Sequence, residues 1–157
     1  MAGHRVGRSI APSSWQLFGI PIHIDRSWLF IVAFVAWTLA DRYFPSAYHG
    51  FPPAAYWLMG ATSALLLFAC VLLHELGHSL VAKAARIPVS RVTLFIFGGV
   101  AEIAQEPRRP MVELRIALAG PLVSLVIATS CFFLGQVLPL HSATEVAAWA
   151  IVRYLAV

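Results

Sequence analysis

Two uncharged apolar runs constrain this chain more than any other feature of its sequence. Phe51 to Leu73 and Ile116 to Leu140 contain no Asp, Glu, Lys or Arg, and each exceeds the ~20 residues that cross a bilayer as helix. A third run, Ser27 to Ala40, is shorter. It spans if Arg26, Asp41 and Arg42 reach back to the headgroups, with Trp28 and Trp37 suited to the interface. A fourth apolar stretch begins near Ala143 and continues to Val157. Only 11% of the 157 residues are charged and 60% are hydrophobic, and a soluble fold of this size keeps too much of its surface in water to hide them. A soluble all-α protein with unusually apolar helices is the alternative, and the run lengths argue against it. The expected fold class is an α-helical integral membrane protein. It has about three complete transmembrane helices, near 27–44, 54–85 and 112–138, and the start of a fourth over 143–157.

Charge placement sets the expected orientation. All of the 11 basic residues except Arg42 and Arg153 lie before the first span or between the second and third. By the positive-inside rule the amino terminus and the 83–115 segment face the cytoplasm of a multi-pass cell-membrane protein. The net charge of +4 then reflects topology and contact with anionic membrane lipid. No basic surface interleaved with aromatics is visible, so no nucleic-acid partner is expected. The first 14 residues lack the apolar core of a signal peptide and are expected to be a disordered cytoplasmic start. Cys70 and Cys131 both fall inside spans, without zinc-ligand spacing, and packing is their expected role.

One membrane-embedded domain is expected over 15–157, with no repeat or flexible linker. Trp15 to Ile24 alternates apolar residues around Gly19 and Pro21 and predicts a short strand at the interface. Asp41 to Pro53 is expected as a loop, broken by Pro45, Gly50, Pro52 and Pro53. The second span should end before Ile87-Pro88, because the residue preceding proline leaves the helical region. Val89 to Ile103 is rich in β-branched and aromatic residues and predicts a hairpin turning at Gly98-Gly99. It is too apolar for an ordinary loop, and strand backbone at membrane depth must be covered by protein; a membrane-associated hairpin packed on the helices follows. Pro107-Arg108-Arg109-Pro110 should close that segment. In the third span Ala117, Ala119, Gly120, Ser124 and Ala128 would let another helix approach closely.

The chemistry sits at His74-Glu75-Leu76-Gly77-His78. Four residues apart, His74 and His78 share one helix face, and two neutral imidazoles so placed can hold one zinc ion at about 2.0–2.1 Å. Glu75 lies about 100° further round and can act as base on a water that zinc acidifies, then pass the proton to a leaving amine. Gly77 costs a helix about 1 kcal/mol relative to alanine, which implies that something packs closely beside the ligands. Ionisable residues inside a membrane helix are expensive and point to function. His4, His49 and His141 suit solvated ends or loops, and His23 and Asp25 suit surface anchoring. Glu102, Glu106 and Glu113 are expected to pair with Arg108, Arg109 and Arg115.

Taken in order, these residues resemble the site-2 proteases, intramembrane metalloproteases that cut membrane-embedded helices. His74 to His78 fits the family's HExGH-type motif on the second span. Phe97-Gly98-Gly99 fits the glycine turn of its membrane-associated hairpin, and Leu118-Ala119-Gly120-Pro121-Leu122 the AGPL stretch of its third span. Gly19-Ile20-Pro21-Ile22 resembles the amino terminus of many bacterial members. The resemblance implies His74 and His78 as ligands of one zinc ion and Glu75 as catalytic base. It implies a transmembrane protein substrate unwound against the 89–103 hairpin, which could take it as an added strand.

The family's third ligand is an aspartate in an NxxPxxPLDGG-like motif on the next helix, and no such motif occurs here. The expectation is therefore a carboxy-terminal truncation, inactive by itself because catalytic zinc needs three protein ligands. Two other readings stand beside this one: a membrane-bound HExxH protease with Glu102 or Glu113 as third ligand, and a non-catalytic membrane protein of the same fold. The sequence sets no oligomeric state.

Overall fold

The computed structural model describes residues 15–104, 109–138 and 142–156. The expected disordered start at 1–14, the first part of the Pro107–Pro110 closure, His4, Glu106, Arg108 and His141 lie outside them. Five helices and a four-stranded sheet make up the described chain. Three helical stretches are long and apolar enough to cross a membrane: Ser27–Ala47, Pro53–Ala84 and Pro110–Val137.

The first stretch runs further than its sequence predicts. Helix α1 (Ser27–Thr38) continues through a π-helical segment, Leu39–Tyr43, into the short α2 (Phe44–Ala47). Pro45 was expected to break the chain here. A proline ring normally collides with the carbonyl four residues back, that of Asp41. The wider π turn, in which the Phe44 amide donates to the Leu39 carbonyl, accommodates that carbonyl and lets the helix pass. Leu39 and Phe44 then join Met59 and Ala150 in a buried cluster.

Helix α3 (Pro53–Ala84) is the central element and touches every other layer. Its end is set by Arg86 in the left-handed region (φ 61°). The Arg86 amide donates to Lys83 and the Ile87 amide to Ala82, the paired bonds of a Schellman cap formed here without glycine. Near its start, Gly60 lies against α1 so closely that an added Cβ would sit 2.6 Å from the Ala36 carbonyl oxygen. Helix α4 (Pro110–Val137) packs along α3, and α5 (Ala143–Leu155) packs on both. A capping box at Ser142 and Glu145 starts α5, satisfying two amides that would otherwise lack partners.

The sheet departs from expectation twice. Trp15–Ile24 is a hairpin of β1 (Trp15–Leu17) and β2 (Ile20–Ile24), turning at Phe18 (φ 53°) and Gly19 (φ 72°). Two consecutive positive φ angles suit the right-handed twist of the strands they join. β2 then pairs in parallel with β3 (Val89–Phe95), which pairs antiparallel with β4 (Gly98–Ile103), giving the order β1-β2-β3-β4. Pro21 precedes the residues of β2 in register with β3, Ile22 to Ile24, so its missing amide breaks no bond to that neighbour. The second departure is the β3–β4 turn. It falls at Ile96-Phe97, where the Ile96 amide donates to the Ser27 hydroxyl. Gly98 (φ 122°) opens β4 and Gly99 stands opposite Leu94, so the glycines serve the strand and not the turn. Ile20, Leu76 and Val92 form the buried seam between sheet and α3.

A Gly60→Ala protein should be less stable than wild type. Helix propensity favours alanine by about 1 kcal/mol, but the added methyl meets backbone atoms of α1 that cannot rotate away, and overpacking of that kind costs about 1–3 kcal/mol. Thermal unfolding in detergent micelles, followed by circular dichroism, should show a lower Tm.

Candidate metal centre

Helix α3 presents His74 and His78 toward α4, one turn apart, and the two rings converge. Their Nε2 atoms are 3.1 Å from each other. Each ring is held from behind by α4. His78 Nδ1 donates to the Ile116 carbonyl oxygen at 2.6 Å, which leaves Nε2 of a neutral ring as a lone pair. His74 Nδ1 lies 2.8 Å from the Ser124 hydroxyl. Metal-ligating histidines characteristically bind such a partner through the ring nitrogen that the metal does not use.

Glycines make this approach possible. A Cβ on Gly77 would lie 2.9 Å from a Val123 methyl and 3.1 Å from the Ala119 carbonyl oxygen. The neighbour expected from the glycine at this position is α4. A Cβ on Gly120 would overlap His78 Nε2 and lie 2.6 Å from His74 Nε2. The space in front of the two nitrogens is therefore open only because residue 120 has no side chain.

Glu75 projects toward the sheet. A Cβ on Gly99 would sit 2.5 Å from Glu75 Cγ, so β4 crosses directly over this side chain. No hydrogen bond from the described residues reaches its carboxylate. His74 and Glu75 open onto a cavity of about 490 Å³ whose walls include Val71, Phe97, Ser124 and Ile127. Cys70 also lines it, so this thiol has a place at the cavity wall beyond the packing role expected of it. Phe97, at the hairpin tip, is 88% exposed.

These residues fit a zinc ion. Two nitrogens bound to one tetrahedral zinc at 2.0–2.1 Å lie about 3.3–3.4 Å apart, close to the separation found. The donors are imidazole nitrogens, Gly120 leaves room, and both outer nitrogens are engaged. Among the described residues no group of three His, Cys, Asp or Glu is gathered around one point. Glu102 is not beside the histidines. Its expected partners were Arg108, Arg109 and Arg115, but it pairs with Arg91 at 2.8 Å, because the two stand opposite each other across the hairpin. Glu113 is exposed in the first turn of α4. Asp25 serves the fold: its carboxylate accepts the Ser27 amide at 2.8 Å, and hydrogen bonds from Ser27, hydroxyl first and amide second, hold it below its ordinary pKa. His23 and His49 are exposed and apart from the pair.

The sequence alone did not single out Ser124, Gly120 or the Ile116 carbonyl as parts of the centre. Their signal is their spacing, 116, 120 and 124, one stripe of α4 with the same four-residue step as His74 and His78.

Comparison with known proteins shows which family the chain resembles. Residues 62–155 match peptidase family M50. The chain is 43% identical over 127 residues to sll0528 of Synechocystis, named as a candidate zinc metalloprotease, covering 80% of this chain and 32% of that protein. It is 33% identical to the zinc metalloprotease MJ0392 of Methanocaldococcus jannaschii, covering 78% of this chain and 32% of the relative. The solved site-2 protease of Methanocaldococcus jannaschii superimposes with a TM-score of 0.56 at 26% identity, over 90% of this chain and 60% of that one. The chain thus spans about a third of the length of the curated relatives it matches.

Gly120→Ala should displace the histidine pair and weaken zinc binding at least about tenfold, the lower end of what disturbing a ligand's support costs. Zinc competition against a chromophoric chelator, with the protein in detergent, measures it.

Proposed function

The chain belongs to peptidase family M50, the site-2 proteases, and from that premise we propose that it forms the zinc-binding core of an intramembrane metalloendopeptidase. Its substrates are transmembrane segments of other proteins, cut within the membrane. The observation that carries this reading is the convergence of two imidazole Nε2 atoms at 3.1 Å, on a 32-residue apolar helix whose Glu75 carboxylate has no hydrogen-bond partner among the described residues. Charged and metal-binding groups on such a helix are costly in lipid and are kept for function.

His74 and His78 hold the single zinc ion. Bound zinc supplies Lewis acidity, polarising a peptide carbonyl and lowering the pKa of water. Glu75 takes a proton from water and later delivers it to the leaving amine. The apolar cavity walls keep bulk water away from the bond being cut. The two histidines are an incomplete ligand set, since catalytic zinc takes three protein ligands. The competent enzyme needs one more, and these two alone bind zinc weakly.

The β4 strand supports a strand-addition mode of substrate binding. β4 is a sheet edge and pairs only with β3 among the described residues. It crosses Glu75 at Gly99, so a peptide added to it would lie about 4.8 Å further out. A transmembrane helix must unwind to add in this way, which exposes its peptide bonds.

Orientation follows from the chain path. Arg26 precedes α1, Lys83 and Arg86 end α3, and Arg109 precedes α4, so these charges share one end of the helices. That end, with the amino terminus and the 83–115 segment, faces the cytoplasm of a multi-pass membrane protein, and its charges contact anionic lipid.

In proteoliposomes carrying a transmembrane substrate, the whole protein with Glu75→Gln should cleave about 10²–10⁴-fold more slowly than wild type, while zinc content is unchanged. Undiminished cleavage by this variant would overturn the assignment.

A further inference from the structure

We propose that Ser124 is a positioning residue for His74, its hydroxyl accepting the Nδ1 proton and so turning Nε2 onto the metal. The role rests on the zinc reading above. Helices α3 and α4 contain four serines, and their fates differ. Ser130 bonds back to the Val126 carbonyl of its own helix at 2.7 Å, the usual local use of a helical serine. Ser63 and Ser79 are fully buried and find no partner among the described residues. Only Ser124 reaches across to another helix, where it meets His74 Nδ1 at 2.8 Å.

The two histidines are then supported alike, by different means. For His78 the acceptor is a backbone carbonyl, that of Ile116, which no side-chain substitution removes. For His74 it is a side chain eight residues further along the same α4 stripe. An imidazole can present a lone pair at Nε2 only if its other nitrogen carries the proton, and an acceptor at Nδ1 fixes that form and the ring plane together. Ser124 also lines the cavity, and it is exposed there. Removing its hydroxyl leaves no buried hole and makes the change chemical more than steric.

The test uses the whole protein in detergent micelles, titrated with zinc against a chromophoric chelator and with cobalt by its visible absorption. Ser124→Ala should weaken zinc binding about 10–100-fold with an unchanged thermal melt. Ser124→Thr keeps a hydroxyl at the same Cβ and should recover most of the loss. Ser130→Ala, the same change on the same helix away from the histidines, should bind as wild type does. Equal affinity of Ser124→Ala and wild type overturns the role alone, as does equal weakening by Ser130→Ala or no recovery with threonine. A whole wild-type protein that takes up neither metal overturns the zinc reading and this role with it.

Discussion

The contact between α3 and α4 is the constraint on which the rest of the structure depends. It is set by two glycines facing opposite ways across one interface. Gly77 admits α4 to α3, and Gly120 admits the histidine rings to α4. Each glycine costs its helix about 1 kcal/mol against alanine. In helices long and apolar enough to cross a membrane, close backbone packing and interhelical hydrogen bonds are what would offset that cost, since apolar burial gives little drive where the solvent is itself apolar. Here the interhelical bonds are those of His74 to Ser124 and His78 to Ile116. Packing of the helix pair and organisation of the histidine pair are one set of contacts.

The sheet acts on the same helix from another side. Its buried seam with α3 includes Leu76, which lies between His74 and His78 in sequence. Lys83, near the end of α3, donates to the Phe18 carbonyl in the first hairpin turn at 2.7 Å. The parallel pairing of β2 with β3 ties that hairpin to the one crossing Glu75. The position of β4 over Glu75 therefore depends on residues more than fifty positions away. The Arg91–Glu102 pair contributes less, because both side chains are about half exposed and such pairs are worth at most about 1 kcal/mol.

Much of this was legible from residue type and spacing. Long apolar runs imply helices wherever they occur, and the ends of α3 and α4 fall within two residues of those expected. His74, Glu75 and His78 were identifiable because a four-residue step puts two side chains on one face whatever the fold. What escaped was whatever depends on a second segment. The π segment before Pro45 is dictated by packing of Leu39 and Phe44 on α3 and α5, not by local preference. The hairpin turn lies at Ile96-Phe97 because Ser27 holds it and Gly99 must clear Glu75. Glycine pairs signal turns locally, and that signal was overridden by a close approach from elsewhere in the chain. Ser124 looked like one more small residue until α3 was placed beside it.

Within one turn of α3 the side chains divide among three neighbours. His74 and His78 face α4, Leu76 enters the seam with the sheet, and Glu75 meets β4. A helix rotates about 100° per residue, so Glu75 and Leu76 are turned about 100° and 200° away from His74, and His78 comes back to within about 40° of it. The proposed base, Glu75, therefore lies on the side of the exposed strand edge, while the proposed ligands, His74 and His78, lie on the side where supporting hydrogen bonds are available. A carboxylate at position 78 would face the Ile116 carbonyl, an acceptor with no proton to offer. The order of residues 74 to 78 is thus matched to the order of neighbours around the helix, and each of those neighbours, through Gly120, Val92 or Gly99, is shaped to receive the side chain it meets.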